Sequence, residues 1–160
     1  MLAIIGGTGV YQLDGLEVVE HMDVQTPFGA PSAQVLRGRM GSQDILFLAR
    51  HGAQHNHLPH EINYRANIYA LKLLGATQII GISAVGSLRE QIAPGDLAIP
   101  EQYFDWTRGR RASSFFGNGV AAHISTANPV SGQLARWIAA HAGRLGITLH
   151  AGVTYACVEG

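Results

Sequence analysis

The segment QDILFLAR, residues 43–50, constrains this chain more than any other. Apolar residues run unbroken from Ile45 to Ala49, so a strand here has no polar face to turn toward solvent. Such a strand belongs in a sheet covered on both sides. A second apolar run, Ala3-Ile4-Ile5, stops at Gly6-Gly7-Thr8-Gly9. Glycines directly after a buried strand mean that the backbone approaches something closely.

Around these two runs the chain reads as further strands and two helices. Met1–Gly6 is a short buried strand, and residues 16–21 and 33–39 are strands flanking TPFGAPS, residues 26–32, whose prolines and glycine forbid regular structure. In EINYRANIYALKLLGA, residues 61–76, Ile62, Ala66, Tyr69, Ala70, Leu73 and Leu74 recur at helical spacing, with Gly75 as C-terminal stop. Residues 77–88, TQIIGISAVGSL, read as a buried strand ending in small residues, and 95–100 as another strand. An irregular region covers roughly 104–128. A second helix spans about 131–145, with Leu134, Ile138, Ala142 and Leu145 on one stripe and Gly146 ending it. The final segment from Thr148 is a strand. Strands alternating with helices indicate an α/β architecture in one domain, a size that 160 residues support.

Bulk properties narrow the function. Apolar residues make up 47% and charged residues 14%, a globular profile, and eleven basic residues balance eleven acidic ones, which argues against nucleic acid or an anionic membrane as partner. The single cysteine, Cys157, suits a reducing cytoplasm, and no run of about 20 apolar residues suggests a membrane span. The sequence therefore predicts a soluble, cytoplasmic protein.

The glycine loop fits no dinucleotide fingerprint. Gly7 and Gly9 match the first two glycines of G-x-G-x-x-G, but the third position is Gln12, and VYQLDGLEVVEH lacks a helical stripe. No Gly-Lys-Ser/Thr follows, so a Walker-type loop is also excluded. Alone, the loop is equally a tight turn without a ligand. Two other strand ends give it meaning. LARHGAQH, residues 48–55, delivers Arg50 and His51 at the end of a buried strand, where α/β sheets place ligands. ISAVGSL, residues 82–88, offers Ser83 and the amides around Gly86. Hydroxyl, guanidinium and amide donors around one point make an oxyanion site without metal.

These motifs, with INYRANIYALKLLGA, SAVGSLRE, PGDLAIPEQYFDWT and the terminal CVEG, occur in order along nearly the whole chain. The set resembles the methylthioadenosine phosphorylase branch of the purine nucleoside phosphorylases. The resemblance implies a central mixed β-sheet flanked by helices, in a homotrimer that cleaves purine nucleosides with orthophosphate as co-substrate and no cofactor. It assigns Thr8, Arg50, His51, Ser83 and Ala84 to phosphate, with Ser83 standing where some members carry Thr. It makes Val85 and Gly86, with Ala84, walls of the nucleoside pocket. It sets His55 and His123 near the site or at a neighbouring subunit's site, His123 being the neighbouring-subunit contact. Members are longer, so it places the purine-facing residue and the last strands and helix beyond Gly160. Methylthioadenosine, methylthioinosine and the 6-oxopurine nucleosides inosine and guanosine all remain candidate substrates, and a non-catalytic anion- or nucleoside-binding module is the alternative to an enzyme.

The remaining conspicuous residues have plainer readings. His51, His55, His57 and His60 crowd one stretch, but Gly52 and Pro59 argue for a loop in which the i,i+4 pair does not converge on zinc, so no metal is expected. His57 and His60 read as solvated loop, and Arg108, Arg110 and Arg111 as a solvated basic face. Cys157 reads as a buried small hydrophobe, and Asp105 and Trp106 as packing residues. Apolar Val120, Ala121, Ala122 and Ile124 around His123 suggest a contact surface.

Overall fold

The computed structural model describes residues 1–10, 12–107, 109 and 111–158, so Arg108, Arg110 and the end of the CVEG motif lie outside the described residues. The chain has two compact units: Met1–Val85 with Arg111–Phe115, and Gly86–Arg110 with Phe116–Gly160.

The first unit is a five-stranded mixed sheet with one helix. Its strands are β1 (Leu2–Gly6), β2 (Glu17–Met22), β3 (Val35–Met40), β4 (Gln43–Ala49) and β5 (Gln78–Gly81), in the order β2-β3-β4-β1-β5. β1 runs parallel to β4 and to β5, whereas β3 is antiparallel to β2 and β4. The apolar run of β4 is buried from Ile45 to Ala49, as its composition requires. Alternation sends Leu46 and Leu48 into a cluster with Ala3, Ile5, Val35, Ala70 and Leu71, while Phe47 fills the opposite face.

Ala70 and Leu71 lie on α1 (Tyr64–Leu73), which begins at the cap Asn63, whose side chain accepts a hydrogen bond from the Ala66 N–H. Burying a leucine such as Leu71 contributes about 1.5–3 kcal/mol. The buried stripe is Ala66, Asn67, Ala70 and Leu71, so the apolar face is rotated from the sequence reading, and Leu73 is exposed. The reason is Asn67: polar, yet buried, because its side-chain oxygen accepts from Ser32 N–H (2.8 Å) and its amide donates to Ser32 Oγ (3.0 Å). Gly75 (φ 86°) ends the helix: its N–H donates to Lys72 O, and that of Ala76 to Leu71 O.

β5 is shorter than the strand expected over 77–88 and only half-buried. It is an edge strand paired on one side, to β1, and from Ile82 onward the chain leaves regular structure.

The second unit pairs β6 (Leu97–Trp106) in parallel with β7 (Leu149–Val158), and α2 (Gly132–Arg144) packs on β7. β6 outruns the expected 95–100 and takes in Phe104–Trp106, because β7 supplies a partner along its whole length, through Trp106↔Val158. Pro100, with no N–H to donate, pairs with Val153 at a register shift that skips Gly152 (φ 76°). Cys157 is half-buried in β7 rather than fully buried.

Candidate oxyanion site at three strand ends

The strand order makes β4, β1 and β5 parallel neighbours, so their C-terminal ends meet. Gly6 pairs with Ala49 and Ile5 with Gly81. The ladder continues one step past each strand: Arg50 N–H donates to Gly6 O and Ile82 N–H to Ile5 O, both at 2.9 Å. Arg50 and Ser83 are 33 residues apart in sequence, yet Arg50 Nη1 donates to Ser83 Oγ at 2.9 Å. Since Oγ accepts that bond, the Ser83 hydroxyl proton remains to be donated elsewhere. The half-buried guanidinium and the exposed serine thus present paired donors at a parallel-sheet edge.

The glycine loop answers what its backbone approaches. A Cβ on Gly7 would run into Arg50 Nη2 and lie 2.5 Å from the Ile82 carbonyl oxygen. On Gly6 it would meet Val10 O and sit 2.9 Å from Phe47 Cζ. Val10 N–H donates back to Gly7 O at 3.0 Å, closing a turn that exposes Thr8 at its tip. The chain then continues to β2, a strand rather than the helix of a dinucleotide fold.

His51 follows Arg50 into a loop of turns, 51–57, closed at its base. His57 N–H donates to His51 O (3.0 Å), and His51 Nδ1 lies 3.0 Å from His57 O. A carbonyl only accepts, so Nδ1 is the donor here and Nε2 stays outside this bond. His55 is exposed with φ 54°, its ring 4.7 Å from that of His51. His60 is exposed as expected, but His57 is half-buried, because closing the loop draws it inward.

Ala84 and Val85 are exposed beyond Ser83. Gly86 and His123 fall in the second unit, both exposed, and Val120 and Ile124 beside His123 are exposed as well. Arg111 does not form a solvated face: its guanidinium stacks 5.4 Å over the Tyr64 ring. Trp106, half exposed, meets Phe104 edge-on at 5.9 Å, and the exposed Asp105 accepts at Oδ1 from Thr107 N–H at 2.9 Å.

Sequence reasoning passed over the pair that braces the 26–32 loop. Asn63 Nδ2 donates to Phe28 O at 2.6 Å, while Asn67 holds Ser32. The signal in the sequence is two asparagines four residues apart, Asn63 at the N-cap and Asn67 in the first turn of α1. Phe28 itself packs edge-on to Tyr69 (5.6 Å) beneath the Arg65 guanidinium (4.9 Å). In the second unit, Asp96 and His150 form a polar pair at 2.8 Å. That bond, with the N–H of Ala93, holds the Asp96 carboxyl below its ordinary value. Burial raises Tyr103 above the usual phenol range, and neighbouring Tyr155 adds to it. Among the described residues no three His, Cys, Asp or Glu side chains gather as a metal site, and no helix is long and apolar enough to cross a membrane.

A mixed sheet with a helix packed on it, and with parallel strand ends side by side, defines an α/β protein, and the chain belongs to the phosphorylase superfamily, whose family model matches residues 1–160. Within it, the chain is 50% identical over 160 residues to the S-methyl-5′-thioadenosine phosphorylase of Geobacter sulfurreducens, covering 100% of this chain and 56% of that protein. It is 48% identical to the enzyme of that name from Cereibacter sphaeroides, covering 55% of it. Among solved structures it resembles a methylthioadenosine phosphorylase from an antarctic soil metagenomic library, with TM-score 0.92 and 42% identity over 99% of this chain and 56% of that one. The methylthioadenosine phosphorylase of Schistosoma mansoni in complex with tubercidin superposes with TM-score 0.94 at 31% identity, over 99% and 64%. The chain thus spans little more than half the length of the curated relatives it matches.

Proposed function

We propose that this chain carries the phosphate half of an enzyme that cleaves methylthioadenosine with orthophosphate, releasing adenine and 5-methylthioribose 1-phosphate in a salvage reaction. The observation that carries the reading is the Arg50–Ser83 pair built on three adjacent parallel strand ends. The names of the relatives support the substrate.

In this reading phosphate is the nucleophile, so no serine or cysteine attacks. Arg50 clamps two oxyanion edges, Ser83 and Thr8 donate hydroxyls, and Ala84 donates its amide. Holding the anion beneath the anomeric carbon turns attack into a proximity-driven step. Its charge stabilises the oxocarbenium-like sugar as the glycosidic bond breaks. His51, with Nδ1 tied to His57 O, leaves Nε2 to meet the phosphate. Val85 and Gly86 wall the nucleoside, and the purine-facing group belongs to the part of the relatives that this chain does not span. The working form is a cytoplasmic homotrimer of single-domain subunits without cofactor, in which His123 meets a neighbour's site.

The test is purine release from methylthioadenosine, methylthioinosine and inosine, with and without phosphate, by the protein expressed from its complete reading frame. Phosphate-dependent release, fastest by kcat/KM on methylthioadenosine, supports the proposal. A preference for methylthioinosine or inosine shifts the base or sugar assignment, and no release from any of the three rejects it. Arg50→Ala should raise the phosphate KM by about 10- to 150-fold, the equivalent of a charge-assisted contact of ~1.5–3 kcal/mol. Arg50→Lys should also be impaired, since a point charge does not reproduce the fork.

A further inference from the structure

We infer that Gly7 is a positioning residue for the oxyanion site: its missing side chain is the space in which the Arg50 guanidinium lies. The inference rests on the phosphate reading above. Gly7 is buried, and a methyl group there would overlap Arg50 Nη2 and stand 2.9 Å from Arg50 Cζ. The backbone conformation does not demand glycine here, because Gly7 is not among the positive-φ glycines, whereas Gly9 is (φ 88°). The requirement at Gly7 is therefore space and not torsion.

Two constraints make that space decisive. Arg50 is anchored at its backbone, where its N–H donates to Gly6 O, and at its tip, where Nη1 donates to Ser83 Oγ. Between those anchors the side chain runs across Gly7. On the other side stands the Ile82 carbonyl, fixed by the Ile82 N–H bond to Ile5 O. A methyl on Gly7 would also stand 2.5 Å from that oxygen, so it presses on the carbonyl and the guanidinium together, and the flexible guanidinium is the group that can swing away. Moving it breaks the Arg50–Ser83 bond and disperses the two donors that converge on the anion. A tetrahedral oxyanion is the ligand class that loses, since it is recognised by the geometry of the fork. The three atoms nearest a methyl on Gly7 belong to Arg50 and Ile82, not to Val85 or Gly86, so the nucleoside side should respond far less.

Inorganic phosphate binding, followed by calorimetry on the protein from its complete reading frame, tests the inference in a cycle with Arg50. Gly7→Ala should weaken phosphate at least tenfold in the parent. In an Arg50→Lys background, which lacks Nη2, the same substitution should cost less than threefold. In the same protein, Gly7→Ala should raise the phosphate KM and leave the nucleoside KM within twofold. Parent chain that binds no phosphate, or Arg50→Ala that binds it like the parent, would overturn the oxyanion reading and this inference together. Where both behave as expected, a Gly7→Ala chain binding phosphate within threefold of the parent overturns the inference alone. Equal losses on Gly7→Ala in the parent and Arg50→Lys backgrounds do the same, because they would trace the effect to the Ile82 carbonyl.

Discussion

The two units of this chain spend their apolar residues differently. Among the described residues, every buried hydrophobic side chain except Ala142 belongs to the first unit. The second unit carries Tyr103, Phe104 and Trp106 on one strand, each about half exposed. Phe104 and Trp106 share one face of the ribbon, and Tyr103, paired with Tyr155, takes the other. Five strands and a helix can close over a strand such as β4. Two parallel strands and one helix cover one face of a ribbon at most, and parallel strands are ordinarily buried on both. A functional site needs rigid support, and the Arg50–Ser83 pair stands in the unit that has its own core.

The widest test of this contrast is a pair of phenylalanine truncations. Phe47→Ala empties a fully buried position of the first unit and should cost about 3–5 kcal/mol in urea unfolding. Phe104→Ala removes a half-exposed ring of the second unit and should stay within about 0.5 kcal/mol. A loss above about 2 kcal/mol at Phe104 would break the contrast, by showing that the ribbon is covered in solution.

Helix caps sharpen it at smaller scale. Both helices start on a side chain that accepts from the N–H three residues further along, Asn63 for α1 and Ser131 for α2. Ser131→Ala should cost ~1 kcal/mol or less. Asn63→Ala should cost more, about 1–3 kcal/mol, because it also strands the Phe28 carbonyl of the 26–32 loop. Thermal unfolding compares the two, and hydrogen exchange at residues 28–32 should quicken in Asn63→Ala only. Equal costs would reduce Asn63 to a simple cap.

The smallest effect concerns acid. A carboxyl whose folded pKa lies below its unfolded value stabilises the fold above that unfolded value, and the contribution fades as pH falls through the folded pKa. Asp96, lowered from 3.8 first by His150 and then by the Ala93 N–H, follows this rule. Wild type should be slightly more stable than Asp96→Asn at neutral pH, and the gap should narrow as pH drops below 3.8 and then close. A gap that is constant from neutral pH to about pH 3 would dismiss the carboxylate's role.

Much of the fold was legible because its signals are local. The unbroken apolar run of β4, the glycine stops at Gly75 and Gly146, and the turn at 26–29 each depend on residues close in sequence. The readings that needed correction depend on distant partners. β5 looked buried by composition, but strand burial is set by how many neighbours a strand acquires. Residues 104–106 looked irregular until β7, beginning at Leu149, paired with them. Arg111 looked solvated, yet its cation lies over an aromatic ring of α1. The face of α1 was read by hydrophobicity alone, which passes over an asparagine whose hydrogen bonds arrive from a loop.

The site divides along the same line. From sequence alone came the chemical types at each strand end: glycines and Thr8, Arg50 with His51, and Ser83 with small neighbours. Those assignments follow from strand periodicity and turn chemistry, which act over a few residues. Only the tertiary structure decided that β1 lies between β4 and β5, that Arg50 reaches Ser83, and that Gly7 gives the guanidinium its path. Strand order is a competition among long-range pairings that share one hydrogen-bonding pattern. No short stretch of sequence encodes its outcome, which is settled when the whole core packs.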